Sequence, residues 1–127
     1  MPDDERDIYR EEILEQYRNP RNFGTLKKPS HSASAFNALC GDSTTLHLRV
    51  DAKDIVEDVA FEGSGCALSI ASASLFTEWM KGKNIKLVQK TGELQIQKLI
   101  KAPITPARLH CVLLPYAALQ KALARGE

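Results

Sequence analysis

Three cysteines stand at positions 40, 66 and 111, each beside residues that could share its chemistry. Cys40-Gly41-Asp42 sets a thiol and a carboxylate two residues apart, with a flexible residue between, so both side chains can turn toward one ion. Gly63-Ser64-Gly65-Cys66 has a backbone that can approach a ligand closely, and it puts the thiol at a helix start, where the dipole favours thiolate. His110 precedes Cys111, and because neighbours on a helix point about 100° apart, both reach one metal only if it sits across the helix edge. Taken singly, each has a bland explanation: a tight turn, a glycine-rich β-to-α connection, a partly buried histidine with its own hydrogen bonds. Taken together, three thiols, an imidazole and a carboxylate are more than enough ligands for four-coordinate zinc or an iron–sulfur cluster. His31, in a serine-rich stretch, and His47, in the polar series of a strand, have no matching partner in sequence.

These residues need elements to position them. Asp3 and Asp4 can cap a first helix whose Tyr9, Ile13, Leu14 and Tyr17 form an apolar stripe ended by Asn19-Pro20. Residues 21–34 mix Pro, Gly, Ser, Lys and Asn without periodicity and read as an irregular connection. Leu46, Leu48 and Val50 alternate with Thr45, His47 and Arg49; Asp51-Ala52-Lys53-Asp54 turns the chain, and a second alternating run passes through Val59 and Phe61. This is a β-hairpin, to which residues 34–39 can add a third strand.

A second helix follows Cys66 and ends near Gly82, with Leu68, Leu75 and Trp79 on one face and Ala67, Ala71 and Ala73 allowing close packing. Residues 83–101 suggest one or two short helices divided at Thr91-Gly92. Thr105 as N-cap and Pro106 at the first helical position open a C-terminal helix, bent near Cys111 because Pro115 cannot bond the Cys111 carbonyl. The expected class is α+β: a small antiparallel sheet with helices against it.

Composition bounds the rest. A chain of 127 residues, 43% hydrophobic and 26% charged, suits one soluble domain over residues 1–127 and leaves no room for separate cofactor and substrate halves. An odd cysteine count, with an acidic and polar first ten residues, makes a disulfide framework a poor explanation and a reducing cytoplasm the expected location. No apolar run approaches a membrane span, so no membrane partner is expected. The net charge of +1 hides an asymmetry: residues 1–32 carry −1, residues 33–80 carry −5 and residues 81–127 carry +7. That basic third has few interleaved aromatics and no nucleic-acid motif, so an acidic protein partner suits it at least as well as phosphate, and no nucleic acid is expected.

The chain resembles the IscU/SufU/NifU-type iron–sulfur cluster assembly scaffolds over nearly its whole length. The resemblance rests on Glu12-Ile13-Leu14, Tyr17-Arg18-Asn19-Pro20-Arg21-Asn22-Phe23-Gly24, Asn37-Ala38-Leu39-Cys40-Gly41-Asp42 and Phe61-Glu62-Gly63-Ser64-Gly65-Cys66-Ala67, with Ser69, Ser72 and Ser74 following. It continues through Thr77-Glu78-Trp79-Met80-Lys81-Gly82-Lys83 and Arg108-Leu109-His110-Cys111. It implies a curved three-stranded antiparallel sheet covered on one face by helices, and a ligand set of Cys40, Asp42, Cys66, His110 and Cys111.

The implied function is assembly of a [2Fe–2S] cluster from ferrous iron and persulfide sulfur, and its transfer to recipient apo iron–sulfur proteins, without turnover of the chain's own. The sulfur comes from a pyridoxal-phosphate cysteine desulfurase. Zinc is an alternative occupant. Cys111, beside His110 and Arg108, is the first choice as sulfur acceptor, Cys40 the second, and Asp42 is the natural labile ligand.

Branch features are mixed. The short spacing from Cys66 to Cys111 and the His-Cys pair match the IscU branch, and the insertion that marks SufU-type proteins is missing. Arg108 and Cys111-Val112-Leu113-Leu114-Pro115-Tyr116 look like the SufU branch. An Hsp70-type chaperone system is a further implied partner, but its recognition segment aligns with Ile104-Thr105-Pro106-Ala107-Arg108, where only Pro106 is kept. The alternative function is a zinc-dependent sulfurtransferase that accepts persulfide from its desulfurase. A zinc-stabilised interaction module would instead unfold on metal removal. A Cys-His hydrolase has the least support, since no third orienting residue or oxyanion motif is visible.

Overall fold

A computed structural model describes residues 3–38, 41–101 and 104–125 of the chain, with side chains described for residues 10–38, 41–101 and 104–124. The element order is α1 (Asp3–Arg18), β1 (His31–Asn37), β2 (Asp42–Val50), β3 (Val56–Ser64), α2 (Ala67–Met80), α3 (Ile85–Ile100), α4 (Pro106–Val112) and α5 (Leu114–Arg125). The strands form one open antiparallel sheet in the order β1-β2-β3, so the α+β expectation holds.

Alternation sorts the strand residues onto two faces. Ala33 and Ala35 of β1, Leu46 and Leu48 of β2, and Val59 and Phe61 of β3 are buried, and the register pairs Ala33 with Leu46, Leu46 with Phe61, and Leu48 with Val59. Helix α5 lies over β1 and β2, and α2 over β3. The other face is polar. There His47 hydrogen-bonds Ser32 Oγ through Nδ1 at 2.8 Å and Glu62 Oε1 through Nε2 at 2.9 Å. The hairpin turn is held by Asp51 Oδ1, which accepts from the Lys53 and Ile55 amides at 2.8 and 3.0 Å.

Helix α2 touches β3, α1, α3, α4 and α5, which explains its small residues. Ser69, Ala71, Ser72, Ala73 and Ser74 are all buried, and close packing at such positions admits no larger side chains. Their hydroxyls are satisfied locally or across helices: Ser69 donates to the Cys66 carbonyl, Ser72 to the Ser69 carbonyl, and Ser74 to Gln16 of α1. Its deepest large side chains are Phe76 and Met80, not the Leu68, Leu75 and Trp79 of the sequence reading, which pack partly buried at its edge.

Two further expectations are corrected. Strand β1 begins at His31, inside the stretch read as irregular, because Ser32 and Ser34 pair with His47 and Thr45 of β2. Helix α3 runs unbroken through Thr91-Gly92. A Cβ at Gly92 would lie 3.1 Å from Phe76 Cζ and 3.1 Å from Tyr116 Cδ1 and Cε1, so the glycine serves close packing between helices. The bend near Cys111 is present: α4 ends at Val112 and α5 begins at Leu114, with Pro115 in its first turn, where a missing N–H costs little. Thr105 holds the N-cap position of α4 without a side-chain hydrogen bond to the helix.

Candidate metal centre

Asp42 is the first residue of β2 and lies on the same face as Thr44, Leu46 and Leu48, so alternation carries its carboxylate toward the helices, where it is 2% exposed. Cys66 is the N-cap of α2. The two glycines before it have separate steric reasons. A Cβ on Gly63 would sit 2.6 Å from the Ser43 carbonyl oxygen of the neighbouring strand. Gly65, at φ +140°, faces the carboxylate itself: a Cβ there would fall on Asp42 Oδ1. The Cys66 backbone amide donates to Asp42 Oδ1 at 3.2 Å, and its thiol donates to Asp42 Oδ2 at 3.4 Å.

Cys111 comes from α4 and is buried. One ligand atom from each of Asp42, Cys66 and Cys111 lies within 4.8 Å of the others, so β2, the start of α2 and α4 deliver two sulfurs and a carboxylate oxygen to one point. A cleft of about 440 Å³ opens onto them, lined also by Gly65, Ala107 and Arg108. Arg108, one turn before Cys111, brings a cation to an opening that already holds a carboxylate.

Of the other sequence candidates, Cys40 lies outside the described residues. His110 is exposed and lines a separate groove of about 310 Å³ with Phe36, Asn37, Ala38, Leu113, Leu114 and Ala117, and its ring is not in the group within 4.8 Å. His47 is engaged on the outer sheet face. Two residues near the site were given no role from sequence. Asn37 Nδ2 lies 4.0 Å from Cys111 Sγ, and its pairing with Asp42 across β1 and β2 puts it there. Thr44 Oγ1, two residues along β2 from Asp42, is buried with no hydrogen-bond partner among the described residues.

The donor set has a clear chemical preference. Two thiolates and one carboxylate suit zinc or iron, whereas calcium and magnesium take oxygen ligands. Three donors also leave a position to be filled by a further side chain or by incoming sulfur.

Comparison with known proteins gives the class to which this fold and donor set belong. Residues 8–125 match the family model of the NifU-like N terminal domain, and the chain belongs to that family. It is 38% identical to the iron-sulfur cluster assembly scaffold protein IscU of Haemophilus influenzae over 119 residues, covering 91% of this chain and 93% of the relative. It is 36% identical to the zinc-dependent sulfurtransferase SufU of Bacillus subtilis over 137 residues, covering 94% and 92%. Among solved structures, a nitrogen-fixing NifU-like protein (N-terminal) from Brucella abortus superposes with a TM-score of 0.72 at 25% identity, covering 93% of each chain.

Proposed function

We propose that the chain is a scaffold on which ferrous iron and persulfide sulfur, the sulfur reduced to sulfide by an external electron donor, are combined into a [2Fe–2S] cluster that then passes to recipient apo-proteins. The observation that carries this reading is the approach of Asp42, Cys66 and Cys111 to within 4.8 Å from three separate elements. In this reading Cys66 and Cys111 hold the iron, and Asp42 is the exchangeable ligand. Cys40, and His110 by rotation of its side chain, complete the set.

Iron and cluster are substrate and cargo here. The chain's own residues receive, hold and release them. A thiolate at Cys111 attacks the outer sulfur of the donor's persulfide, and the donor cysteine leaves as a thiolate, so the sulfur atom changes owner without net oxidation. Cys40 is the second candidate for that step. Arg108 at the cleft mouth favours an anionic sulfur nearby. Loose holding follows from the ligand types: a carboxylate or imidazole exchanges more readily at iron than a fourth thiolate, and release requires exchange.

The partners in this reading are a pyridoxal-phosphate cysteine desulfurase and recipient iron–sulfur apo-proteins, in a reducing cytoplasm where the thiols stay available. No helix among the described residues is long and apolar enough to cross a membrane.

A second reading is a zinc-dependent sulfurtransferase, favoured by the 36% identity to the SufU relative named for that activity. In it the same residues hold zinc, which keeps the thiols deprotonated and ordered. The deciding experiment is anaerobic incubation with a cysteine desulfurase, cysteine, a reductant and ferrous iron, on the parent and on Cys40→Ser, Cys66→Ser and Cys111→Ser. The scaffold reading expects a [2Fe–2S] spectrum that requires the cysteines, and a cluster that moves to an apo-ferredoxin. Retained zinc, no cluster, and persulfide on one cysteine would replace it with the sulfurtransferase.

A further inference from the structure

Helix α3 has two faces that do different work. Ile85, Val88, Gly92, Ile96 and Ile100 are buried against the rest of the protein and account for its place in the core. On another face, Leu87 and Leu94 are 48% and 59% exposed, although the core does not need them. They stand seven residues apart, two helical turns, so they lie nearly above one another. Lys90 and Lys98, three and eleven residues beyond Leu87, fall beside the same line, and Lys86 borders it.

The charges on this face are largely uncommitted. Lys86 reaches Asp54 at 3.6 Å while itself 80% exposed, and Lys90 and Lys98 make no ion pair with a described residue. The acid of this helix, Glu93, stands beside Leu94 as Lys86 stands beside Leu87, two turns further along the same flank, and its charge also acts on Tyr116 of α5. None of these residues lines the cleft of Asp42, Cys66 and Cys111. Two exposed leucines in a basic frame form a small apolar patch with a strong sign preference.

From this juxtaposition we propose that the outer face of α3 docks an acidic amphipathic helix of another protein, which lays apolar residues at heptad spacing over Leu87 and Leu94 and sets carboxylates against Lys86, Lys90 and Lys98. Charge complementarity selects an acidic occupant, and the seven-residue leucine spacing selects a helical one. An anionic membrane surface shares the charge preference, but two leucines without an aromatic anchor offer it little apolar area. The proposal stands apart from the metal chemistry and survives its failure.

The test titrates the full chain into a fluorescein-labelled synthetic helix of about three heptads, with leucines at heptad positions and glutamates around them, read by anisotropy. Vesicles of phosphatidylserine and phosphatidylcholine are tested in parallel by co-sedimentation. The expected result is saturable peptide binding, weakened about tenfold or more by Leu87→Ala/Leu94→Ala. Lys90→Glu/Lys98→Glu should weaken it comparably and flatten its salt dependence. Both variants alter exposed positions and should unfold at the parent's temperature, and each tests a different half of the surface. No peptide binding, or binding that neither variant changes, overturns the proposal. So does vesicle binding sensitive to both variants in the absence of peptide binding.

Discussion

Gly65 and the carboxylate of Asp42 occupy one volume: the space a Cβ would fill at position 65 is taken by Asp42 Oδ1, and the φ of +140° there suits only glycine. The glycine therefore shapes the candidate metal centre by what it lacks. It lets the chain leaving β3 stay beside the start of β2 closely enough for the Cys66 amide and thiol both to reach Asp42.

Gly65→Ala should accordingly displace the Asp42 side chain and strain the backbone, with a stability loss of about 1–3 kcal/mol. Thermal unfolding reads the first effect. Weaker binding of zinc or ferrous iron, measured by calorimetry, reads the second, and an unchanged metal affinity would show that Asp42 does not depend on the gap.

On the scaffold reading, Asp42→Ala should slow cluster release, because the exchangeable oxygen is lost and thiolates remain. It should also cost about 1–2 kcal/mol, since the Cys66 amide loses its acceptor. The holo-protein's lifetime in the presence of an apo-ferredoxin checks the first outcome; a lifetime equal to the parent's removes this role from Asp42.

Gly92→Val should destabilise the fold by about 1–3 kcal/mol, through overpacking against the rings of Phe76 and Tyr116, both already fixed by their neighbours. Tyr116 donates to the Gln89 carbonyl of α3 at 2.5 Å, so the loss should come with a changed tyrosine environment. Unfolding curves with near-UV circular dichroism would detect both. A parent-like melting temperature would mean the helices can separate at little cost.

The Glu78 carboxyl is held below its ordinary 4.5, chiefly by the hydrogen bond from the Asn22 amide, with Lys81 and Arg21 adding favourable charge and burial opposing. A carboxylate depressed in the folded state adds stability in full above the unfolded pKa, and the contribution is lost as pH falls through the folded one. Asn22→Ala should move the Glu78 titration up toward 4.5 and shrink that acid-side loss. Carboxyl NMR during a pH titration measures it. A titration that stays put would assign the depression to Lys81, 3.5 Å away.

Much of this architecture was legible in the sequence because it is written in local rules. Alternation gave the β2–β3 hairpin, Asp51-Ala52-Lys53-Asp54 gave its turn, and Pro115 gave the break between α4 and α5. What local rules missed was set by distant neighbours. Gly92 breaks helices by propensity, yet α3 continues through it because Phe76 and Tyr116 need the space. Ser32 and Ser34 look like loop residues until His47 and Thr45 come alongside.

The candidate site divides the same way. The candidate thiols, carboxylate and imidazole, the glycines before Cys66 and the neighbouring pairs were legible in the chain order, because each depends on residues a few positions apart. Which of them meet depends on how distant segments pack. Asp42 and Cys66 are joined through the antiparallel pairing of β2 with β3, and Cys111 by the packing of α4 against α2, while the same helix turns His110 toward the groove with Phe36 and Asn37. A side chain's direction on a helix is fixed by the surface the helix buries, and that surface is assembled from segments remote in the chain.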